Sequence, residues 1–413
     1  MTEEKLVPKL RFNGFDDEWI EVNIKNYSTI KGRIGWRNLK QSEYTESGPY
    51  LIAGKHITNG IINWEECDHL SMERYDESPE IALKIGDVIF SKDGSLGNPA
   101  LIRELPDKAT INGTMMLVRL HEKIMPNFFY QVLNSDSFFR LLHILKSGSS
   151  IPHIFQRDME NFKFKVPQSL DEQNKVSNFL EVVDKKIELL KQKQDDYQNF
   201  KKYLMQQIFA QKLRFKDENN HHYENWEQLQ LKDIISLKGG FAFKSELFKD
   251  EGMAIIRISN ISPNNSVILD DLVYYNKLEN DSDFIIKKGE LIIAMSGATT
   301  GKVAVYNLDY ESYINQRVGL FKQTSDKLYY PFLIQYTHSD DFKRELKKTL
   351  VAGAQPNISK KEIESFSIKL PQYEEQEKIA DLLSNLDLKI NTIKNQNNEL
   401  YMFKKSLLQQ MFV

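Results

Sequence analysis

Two long segments of the chain carry apolar residues at alternating four- and three-residue spacing, the pattern of a helix that pairs along a seam. Neither segment contains an interior Gly or Pro. The seam positions are Val176, Leu180, Val183, Ile187, Leu190, Gln194, Tyr197, Lys201, Leu204 and Ile208, and then Ile379, Leu383, Leu386, Ile390, Ile393, Asn397, Leu400, Lys404, Leu407 and Met411. Each segment predicts a helix of about 40 residues, about 60 Å long at 1.5 Å of rise per residue.

Both predicted helices begin shortly after a proline, Pro167 or Pro371. Acidic pairs follow, Asp171-Glu172 in the first helix and Glu374-Glu375 in the second. Negative charge is favourable there because it faces the positive end of the helix dipole. The prolines and the acidic pairs therefore mark where the two helices start.

The two helical segments belong to an internal repeat with a shift of 203 residues, the separation of Leu10-Arg11-Phe12 from Leu213-Arg214-Phe215. The same shift relates every seam position to its counterpart. The last ~40 residues of each copy match almost position for position, whereas the first ~165 align loosely, as Trp19 and Trp226 show with a shift of 207. The repeat predicts two related domains that differ in detail and two helices that match.

The order of the repeat predicts how the helices pair. The first helix leads directly into the second domain, and a compact domain returns the chain near the point where it left, so the second helix starts near the end of the first. The predicted fold class is α+β, with two mixed α/β domains related by pseudo-two-fold symmetry and joined by two long helices that form an antiparallel coiled coil. The predicted boundaries are 1–167 and 213–370 for the domains, and 168–212 and 371–413 for the helical spacers.

Within the domains, apolar runs predict strands at 85–91 and 291–295 and helices at 128–145 and 331–350. At the centre of the seams, Gln194 and Asn397 occupy equivalent positions near the predicted two-fold axis. A polar layer formed by these two amides would set the register of the helices. The alternative is that both side chains point partly into solvent.

Composition indicates an ordinary folded protein of more than one domain: 413 residues, 41% hydrophobic and 27% charged. The N-terminus is charged and the chain has no long apolar run, so we expect no signal peptide, no membrane span and a cytoplasmic location. Cys67 is the only cysteine, which excludes a disulfide within the chain. The net charge of −3 is unusual for a nucleic-acid binder, so any binding charge must be local or come from a partner.

Sequence motifs for catalysis are missing. The run 297–303 resembles a phosphate-binding loop, but three residues separate its glycines where four are required, and Val303 follows the lysine. A tight turn between strands is the better interpretation. The sequence has no His-Glu-x-x-His motif, no paired Cys-x-x-Cys and no methyltransferase tetrad for a flipped base. His221-His222 lies in a polar stretch typical of a solvated loop.

Several motifs recur in both copies or stand in a fixed order: Gly86-Asp87-Val88-Ile89 with Gly289-Glu290-Leu291-Ile292, then 256–261, 353–359 and Leu370-Pro371-Gln372. Over its whole length, in the order domain, helix, domain, helix, the chain resembles the specificity (S) subunit of type I restriction-modification enzymes. The first copy departs from the pattern at 148–154, which lacks the Gln-Pro-Asn run of the second.

The resemblance implies a non-catalytic subunit that binds double-stranded DNA. It implies two modification (M) subunits that dock on the helices, bind S-adenosylmethionine and methylate adenine. It also implies two restriction (R) subunits that use ATP and magnesium. No cofactor is expected on this chain itself. Because two-fold related DNA-binding elements lie on two half-sites, two differing domains imply a bipartite, asymmetric target.

Candidate DNA contacts follow from residue types that reach base edges or phosphates. In the first copy the richest stretch is 31–40, where Arg33 and Arg37 are the best base readers and an ordinary solvated loop is the alternative. The candidates in this copy are Lys31, Arg33, Trp36, Arg37, Lys55, His56, Lys92 and Ser95. Those in the second copy are Lys238, Lys244, Arg257, Asn260, Thr299, Lys302 and Arg317. Arg257 stands in a strand-like run, so a structural salt bridge is its alternative role.

Two other classes of function remain open from the residues alone. The chain could be a scaffold that carries two ligand-binding domains on a coiled-coil spacer and binds no DNA. It could also be an enzyme with duplicated domains, but the two copies share no acid/base or metal-binding constellation.

Overall fold

The computed structural model describes residues 6–33, 39–147, 152–262, 265–350 and 357–413, and it divides into two compact units. The first unit comprises Met1–Gln192 and Lys394–Val413, and the second comprises Lys193–Ile393. Each unit therefore contains a mixed α/β domain together with part of both long helices.

The first unit is built on a four-stranded antiparallel sheet in the order β2-β10-β7-β8, with a three-stranded sheet β6-β3-β9 and a pair β1-β11. Its strands are β1 (Ile20–Asn23), β2 (Ser28–Gly32), β3 (Tyr44–Ile52), β4 (Ile57–Thr58), β5 (Ile61–Ile62), β6 (Asp68–Leu70), β7 (Val88–Ser91), β8 (Gly97–Leu101), β9 (Ala109–Ile111), β10 (Met115–Leu120) and β11 (Lys163–Val166). Its short helices are α1 (Met72–Asp76), α2 (Pro126–Val132), α3 (Asp136–Ser147) and α4 (Gln156–Glu160). The long helix α5 (Leu170–Phe209) follows.

The second unit repeats this topology, with the four-stranded sheet β13-β20-β17-β18, a second sheet β15-β14-β19-β16 and the pair β12-β21. Its strands are β12 (Glu227–Gln230), β13 (Ile235–Gly239), β14 (Met253–Ile256), β15 (Val273–Tyr275), β16 (Ile285–Ile286), β17 (Leu291–Ala294), β18 (Val303–Val305), β19 (Ser312–Ile314), β20 (Val318–Gln323) and β21 (Ser367–Leu370). Its helices are α6 (Tyr330–Tyr336), α7 (Asp340–Leu350) and α8 (Lys360–Glu364), and the long helix α9 (Tyr373–Met411) ends the chain.

The long helices confirm the two predicted from the seams, at 40 and 39 residues. All ten seam positions of each helix are buried or half-buried. Three of the shorter elements differ from prediction. The helices predicted at 128–145 and 331–350 are each two helices. The Ser135 carbonyl accepts hydrogen bonds from the backbone N–H groups of the next helix, and Ser339 Oγ accepts one from the Phe342 N–H, so a new helix starts after each serine. The strand predicted at 85–91 starts only at Val88, after a turn in which Gly86 has φ 91°.

The start of α5 is fixed to the first domain by one buried carboxylate. Glu172 is 2% exposed and accepts two hydrogen bonds from the guanidinium of Arg11, at 2.7 and 2.9 Å. It also accepts a hydrogen bond from the indole Nε1 of Trp19, at 3.1 Å. A buried charge needs such partners because it has lost its hydration. We call Arg11, Trp19 and Glu172 the first helix root.

The second unit repeats the arrangement at the start of α9. Glu375 is fully buried and accepts hydrogen bonds from Arg214, at 3.1 and 2.7 Å, and from Trp226 Nε1, at 2.9 Å. These three residues form the second helix root. Each member is the repeat counterpart of a member of the first root, so the same local geometry holds both helices.

Within each unit, the two helix segments run in opposite directions. In the first unit, Trp19 bonds to Glu172 and also contacts the ring of Phe412, whereas Asp184 pairs with Lys404 at 2.5 Å. Residue numbers therefore rise along α5 while those of the residues it meets on α9 fall, so the two segments are antiparallel. The second unit shows the same relation.

There, Trp226 contacts both Glu375 and Phe209, and Lys201 pairs with Asp387 at 2.6 Å. The two ion pairs are exchanged by the repeat, since a shift of 203 converts Asp184 into Asp387 and Lys201 into Lys404. Each seam lysine therefore has a specific carboxylate partner.

Among the helices of the described residues, none combines the length and the apolar character that a membrane span requires.

Candidate nucleic-acid interface

Several predicted DNA contacts of the first unit meet at one end of its four-stranded sheet. Strands β2 and β7 are both antiparallel to β10, so they end on the same side, where β10 begins. We call residues 31–33, 91–95 and 112–115 the first edge. Lys31 is the penultimate residue of β2. Lys92 follows β7, and its backbone N–H donates to the Thr114 carbonyl at 2.9 Å. Ser95 is exposed in the turn that follows.

The turn Gly54–His56 packs against the first edge. A Cβ on Gly54 would lie 2.4 Å from Ser91 Oγ, so the turn and the end of β7 approach each other closely here. Lys55 is exposed and pairs with Asp68 at 3.0 Å. The structure therefore brings five predicted positions together: Lys31, Arg33, Lys55, Lys92 and Ser95 lie on or beside this edge.

Arg33 does not have the exposure that a base reader needs. It is 4% exposed, and its Nε donates to the Ile111 carbonyl at 3.3 Å. Burial, and then the charge of Arg74, lower the pKa of its guanidinium. Arg33 is therefore a packing residue beneath the first edge, which corrects the sequence-based interpretation. Trp36 and Arg37 lie outside the described residues.

His56 is also part of the interior, at 2% exposed. Its Nδ1 accepts a hydrogen bond from the Ala53 N–H at 3.0 Å, so the proton of the neutral ring is on Nε2. Burial lowers the pKa of the imidazole, which keeps it neutral. The side chain closes the Gly54–His56 turn, and this structural role replaces the predicted contact with DNA.

The second unit has a corresponding edge, which we define as residues 238–241, 294–297 and 315–318. Strands β13 and β17 end here and β20 begins here. Lys238 lies at the end of β13 and pairs with Asp283 at 3.4 Å, and Arg317 is exposed at the start of β20. A Cβ on Gly240 would lie 2.2 Å from the Ile314 carbonyl oxygen, so glycine is required at this crossing.

Asn260 occupies the position in the second unit that His56 has in the first, and it is equally buried. Its Oδ1 accepts a hydrogen bond from the Arg257 N–H at 3.0 Å. Its Nδ2 donates to the carbonyls of Ile268 and Asp270, both at 3.1 Å. The amide is fully used within the protein, so the predicted base contact of Asn260 is corrected to a structural role.

The remaining candidates of the second unit lie in turns near this edge. The guanidinium of Arg257 donates to the Asp271 carbonyl, a contact with a backbone oxygen, whereas the alternative expected from the sequence was a salt bridge. Thr299 ends the 3-10 turn Gly297–Thr299, and its hydroxyl donates to the Ile258 carbonyl at 3.2 Å. Lys302, half-buried, follows in the turn between β17 and β18, and Lys244 is exposed.

Two further exposed residues lie on the second edge: Phe241, within the stretch 238–245 that the sequence indicated, and Gln316, which the sequence-based candidates did not include. Phe241 is 42% exposed directly after the Gly239-Gly240 pair, and Gln316 is exposed between Asn315 and Arg317. The repeat contains a signal that could have found the second of them. Gln316 follows a matched Ile-Asn pair, and its counterpart in the first copy is a glycine.

Within the described ranges, no three His, Cys, Asp or Glu side chains are placed to hold a metal ion. Burial raises the pKa of the Cys67 thiol to about 11, which keeps it protonated and unreactive. What the two edges offer instead is lysine, arginine and amide side chains at the ends of rigid strands.

Comparison with known proteins matches most of the chain to one family. A family model described as type I restriction modification DNA specificity domain matches residues 16–196 and 223–402. The chain is 27% identical over 348 residues to the type I restriction enzyme MjaVIII specificity subunit of Methanocaldococcus jannaschii, covering 80% of this chain and 79% of the relative. It is also 27% identical over 176 residues to the EcoAI specificity subunit of Escherichia coli, covering 41% of this chain and 30% of that one.

Solved structures show the same fold. The S subunit of a type I restriction-modification system from M. genitalium superposes with a TM-score of 0.65 at 16% identity, covering 98% of this chain and 99% of that one. A second structure, reported for the complex assembly and conformational transition of the type I R-M system, superposes with a TM-score of 0.55 at 18% identity. The match covers 95% of this chain and 97% of that one.

Proposed function

Because the chain belongs to the family of type I restriction modification DNA specificity domains, we propose that it directs modification and restriction subunits to a bipartite, asymmetric DNA site. Subunits of this family carry the DNA sequence specificity of the enzyme and are non-catalytic. In the proposal, each unit binds one half-site, and the first edge and the second edge contact the DNA.

One observation carries this proposal: the two helix roots are chemically the same, and the two edges are not. Glu172 and Glu375 make the same bonds to their arginines and tryptophans. At the edges, by contrast, the turn before β10 contains Gly113 and Thr114, whereas the turn before β20 contains Gln316 and Arg317. A constant frame with different exposed side chains is what two readers of different sequences require.

The long helices supply the proposed docking surface for the M subunits. Their large apolar side chains that are at least 50% exposed are Val182, Leu189, Phe200, Tyr203, Leu388, Tyr401, Met402 and Phe403. In the proposal, these exposed apolar side chains are the part of the helices that the M subunits cover. Phe200 and Phe403 are repeat counterparts, each 50% exposed, which supports two equivalent sites and hence two M subunits.

The complex would also hold two R subunits through the M subunits. S-adenosylmethionine, ATP and magnesium would be bound by these partners, and the chain itself needs only DNA and protein contacts. The partners would also contribute positive charge around the DNA, which accounts for the net charge of −3 on this chain.

The proposal is tested by expressing the chain with its M subunit in a host that lacks other adenine methylation and sequencing the methylated positions. The expected motif has two specified parts, different in sequence, separated by an unspecified spacer. A continuous motif would contradict the bipartite proposal. Absence of methylation together with absence of DNA binding by the purified complex would favour the scaffold interpretation.

The docking surface has its own test, the number of M subunits bound by each chain in native mass spectrometry. We expect two for the wild type, one for Phe200→Ser or Phe403→Ser, and none for the double variant. Phe139→Ser is a matched control, because Phe139 is 53% exposed on α3 and not on a long helix. If the double variant still bound two M subunits, the docking surface would lie elsewhere.

A further inference from the structure

We propose that Gln316 and Phe241 together read an A·T base pair in the major groove of the half-site bound by the second unit. The inference rests on the proposed function and makes it specific, because it assigns a base-pair type to two residues. Neither residue has the charge that usually identifies a DNA contact, so only the placement of their side chains points to this role.

Gln316 is held by its backbone, and its side chain is exposed. Its N–H donates to the Phe241 carbonyl at 2.9 Å. The turn around it is fixed on two further sides, by the Asn315 N–H to the Ile256 carbonyl and by the Met295 N–H to the Arg317 carbonyl, each at 2.9 Å. Within the described part of the chain, the Gln316 amide makes no hydrogen bond. The backbone of Gln316 is therefore fixed, while the donors and the acceptor of its exposed amide are unused.

Phe241 is mounted with similar rigidity. Its N–H donates to the Ile314 carbonyl at 3.0 Å. Its ring stacks on Phe284, with centroids 5.0 Å apart, and meets the edge of Phe243 at 5.0 Å. Even so, 42% of the side chain is exposed. A half-exposed phenyl ring that packs on two other rings presents a fixed apolar surface, and the backbone of Phe241 is bonded to that of Gln316.

An A·T pair has the complementary chemistry. In the major groove, adenine offers the N7 acceptor and the N6 amino donor, which a glutamine amide matches with two hydrogen bonds. Thymine of the same pair offers its 5-methyl group, which an apolar side chain contacts. A G·C pair offers no methyl group, and its guanine presents two acceptors, which an amide matches less well.

The surroundings of the two residues are suited to a phosphate backbone. Arg317 is exposed next to Gln316, and Lys238 lies two residues before Gly240 at the end of β13. Cations beside the amide and the ring would position the duplex without specifying a base.

In the first unit, the turn that corresponds to that of Gln316 is built differently. At the equivalent turn, Gly113 has no side chain, and the Thr114 hydroxyl donates to Asn112 Oδ1 at 2.7 Å, within the turn itself. The Asn112 amide oxygen also accepts the Thr114 N–H at 3.0 Å. At this turn, the second unit therefore presents an unbonded amide, whereas the described turn of the first unit uses its amide oxygen internally.

The test compares the wild-type chain in complex with its M subunit against Gln316→Ala and Phe241→Ala. Sequencing of methylated sites is expected to show a weakened preference for A·T at one position of one half-site in each variant, because each variant keeps one of the two contacts, with the other half-site unchanged. Competition binding should show discrimination at that position falling about 5- to 150-fold, which corresponds to about 1–3 kcal/mol.

Modified duplexes separate the two contacts. Replacing the thymine with deoxyuridine removes only the 5-methyl group, so it should weaken binding by wild type and by Gln316→Ala but not by Phe241→Ala. Replacing the adenine with 7-deazaadenine should weaken binding by wild type and by Phe241→Ala but not by Gln316→Ala. Equal losses in all three proteins would overturn the assignment.

Tyr310→Ala is the matched control. Tyr310 belongs to the same unit and is 50% exposed, in the loop after Tyr306. The Tyr306 N–H donates to the Glu290 carbonyl just before β17 begins. Because β17 ends at the second edge, Tyr310 lies at the opposite end of the sheet. The Tyr310→Ala variant should leave the methylated motif unchanged. An unchanged motif in Gln316→Ala and Phe241→Ala overturns the inference and leaves the proposed function standing. A wild type with no motif overturns both.

Discussion

The helix roots and the edges of the two units differ in how much chemistry they share. At the roots, a carboxylate that is almost completely buried must keep an arginine and an indole as partners, in either copy. At the edges, the equivalent turns contain Gly113-Thr114 and Gln316-Arg317, which are chemically unrelated. Burial leaves a charged group few acceptable surroundings, while exposure leaves a turn residue free to change. Duplication here has kept the buried helix roots and varied the exposed turns.

The largest effect that distinguishes roots from edges is expected at Glu375. Glu375→Ala leaves Arg214, whose side chain is 14% exposed, without its partner, and Trp226 without an acceptor. Removal of one partner of a buried pair costs about 3–5 kcal/mol of unfolding free energy. Urea denaturation followed by tryptophan fluorescence measures it. Glu374→Ala, at an exposed neighbouring position, should change stability by less than about 0.5 kcal/mol. Equal effects of the two variants would show that the root is not a constrained site.

A pH-dependent difference between the units is expected from His338. Burial, with help from Lys201, lowers the pKa of His338 to about 4 from an ordinary 6.5. The folded state therefore favours the neutral ring. The unfolding free energy is highest above pH 6.5, where the ring is neutral in both states, and it falls as the pH falls towards 4. The predicted loss of unfolding free energy is on the order of 2–3 kcal/mol.

The first unit supplies the matched variant for this prediction. The shift of 204 that relates α2 to α6 places Asn134 at the position of His338. His338→Asn should lose less stability than the wild type between pH 6.5 and 4, measured by urea denaturation at each pH. Parallel curves for the two proteins would contradict the assigned pKa. The ion pairs of the carboxylates are common to both proteins and cancel in the difference.

A smaller effect is expected from the two exchanged ion pairs. Double-mutant cycles of Lys201→Met with Asp387→Asn, and of Lys404→Met with Asp184→Asn, should each give a coupling energy of about 1–2 kcal/mol. The two cycles should agree within about 0.5 kcal/mol, because the pairs are repeat counterparts in separate units. A coupling near zero in one cycle only would show that the two helix segments are not equivalent.

The sequence predicted the long helices well because their signals are local and periodic: the seam, the prolines before each start and the acidic first turns. It also predicted the repeat, and with it the equivalence of Trp19 and Trp226. It missed the division of the shorter helices at Ser135 and Ser339, since a serine inside an apolar pattern does not show whether it caps a helix.

Prediction of the interface from sequence was partial for a different reason. Arg33, His56 and Asn260 have side chains typical of DNA contacts, but their burial is decided by strands far away in the sequence. Gln316 was overlooked because an exposed residue in a turn belongs to no periodic pattern. The polar layer of Gln194 and Asn397 stays a prediction; both side chains are half-buried.

The central claim, that one frame carries two independent DNA readers, is tested most directly by duplicating a reader. In such a chain, residues 213–371 replace residues 10–167, so that both domains are the second one. Sequencing of methylated sites with the M subunit present should show the second half-site twice, in inverted orientation, as the antiparallel helices predicted from the sequence require. A motif that keeps the original first half-site, or that shows the two copies in the same orientation, would contradict the account.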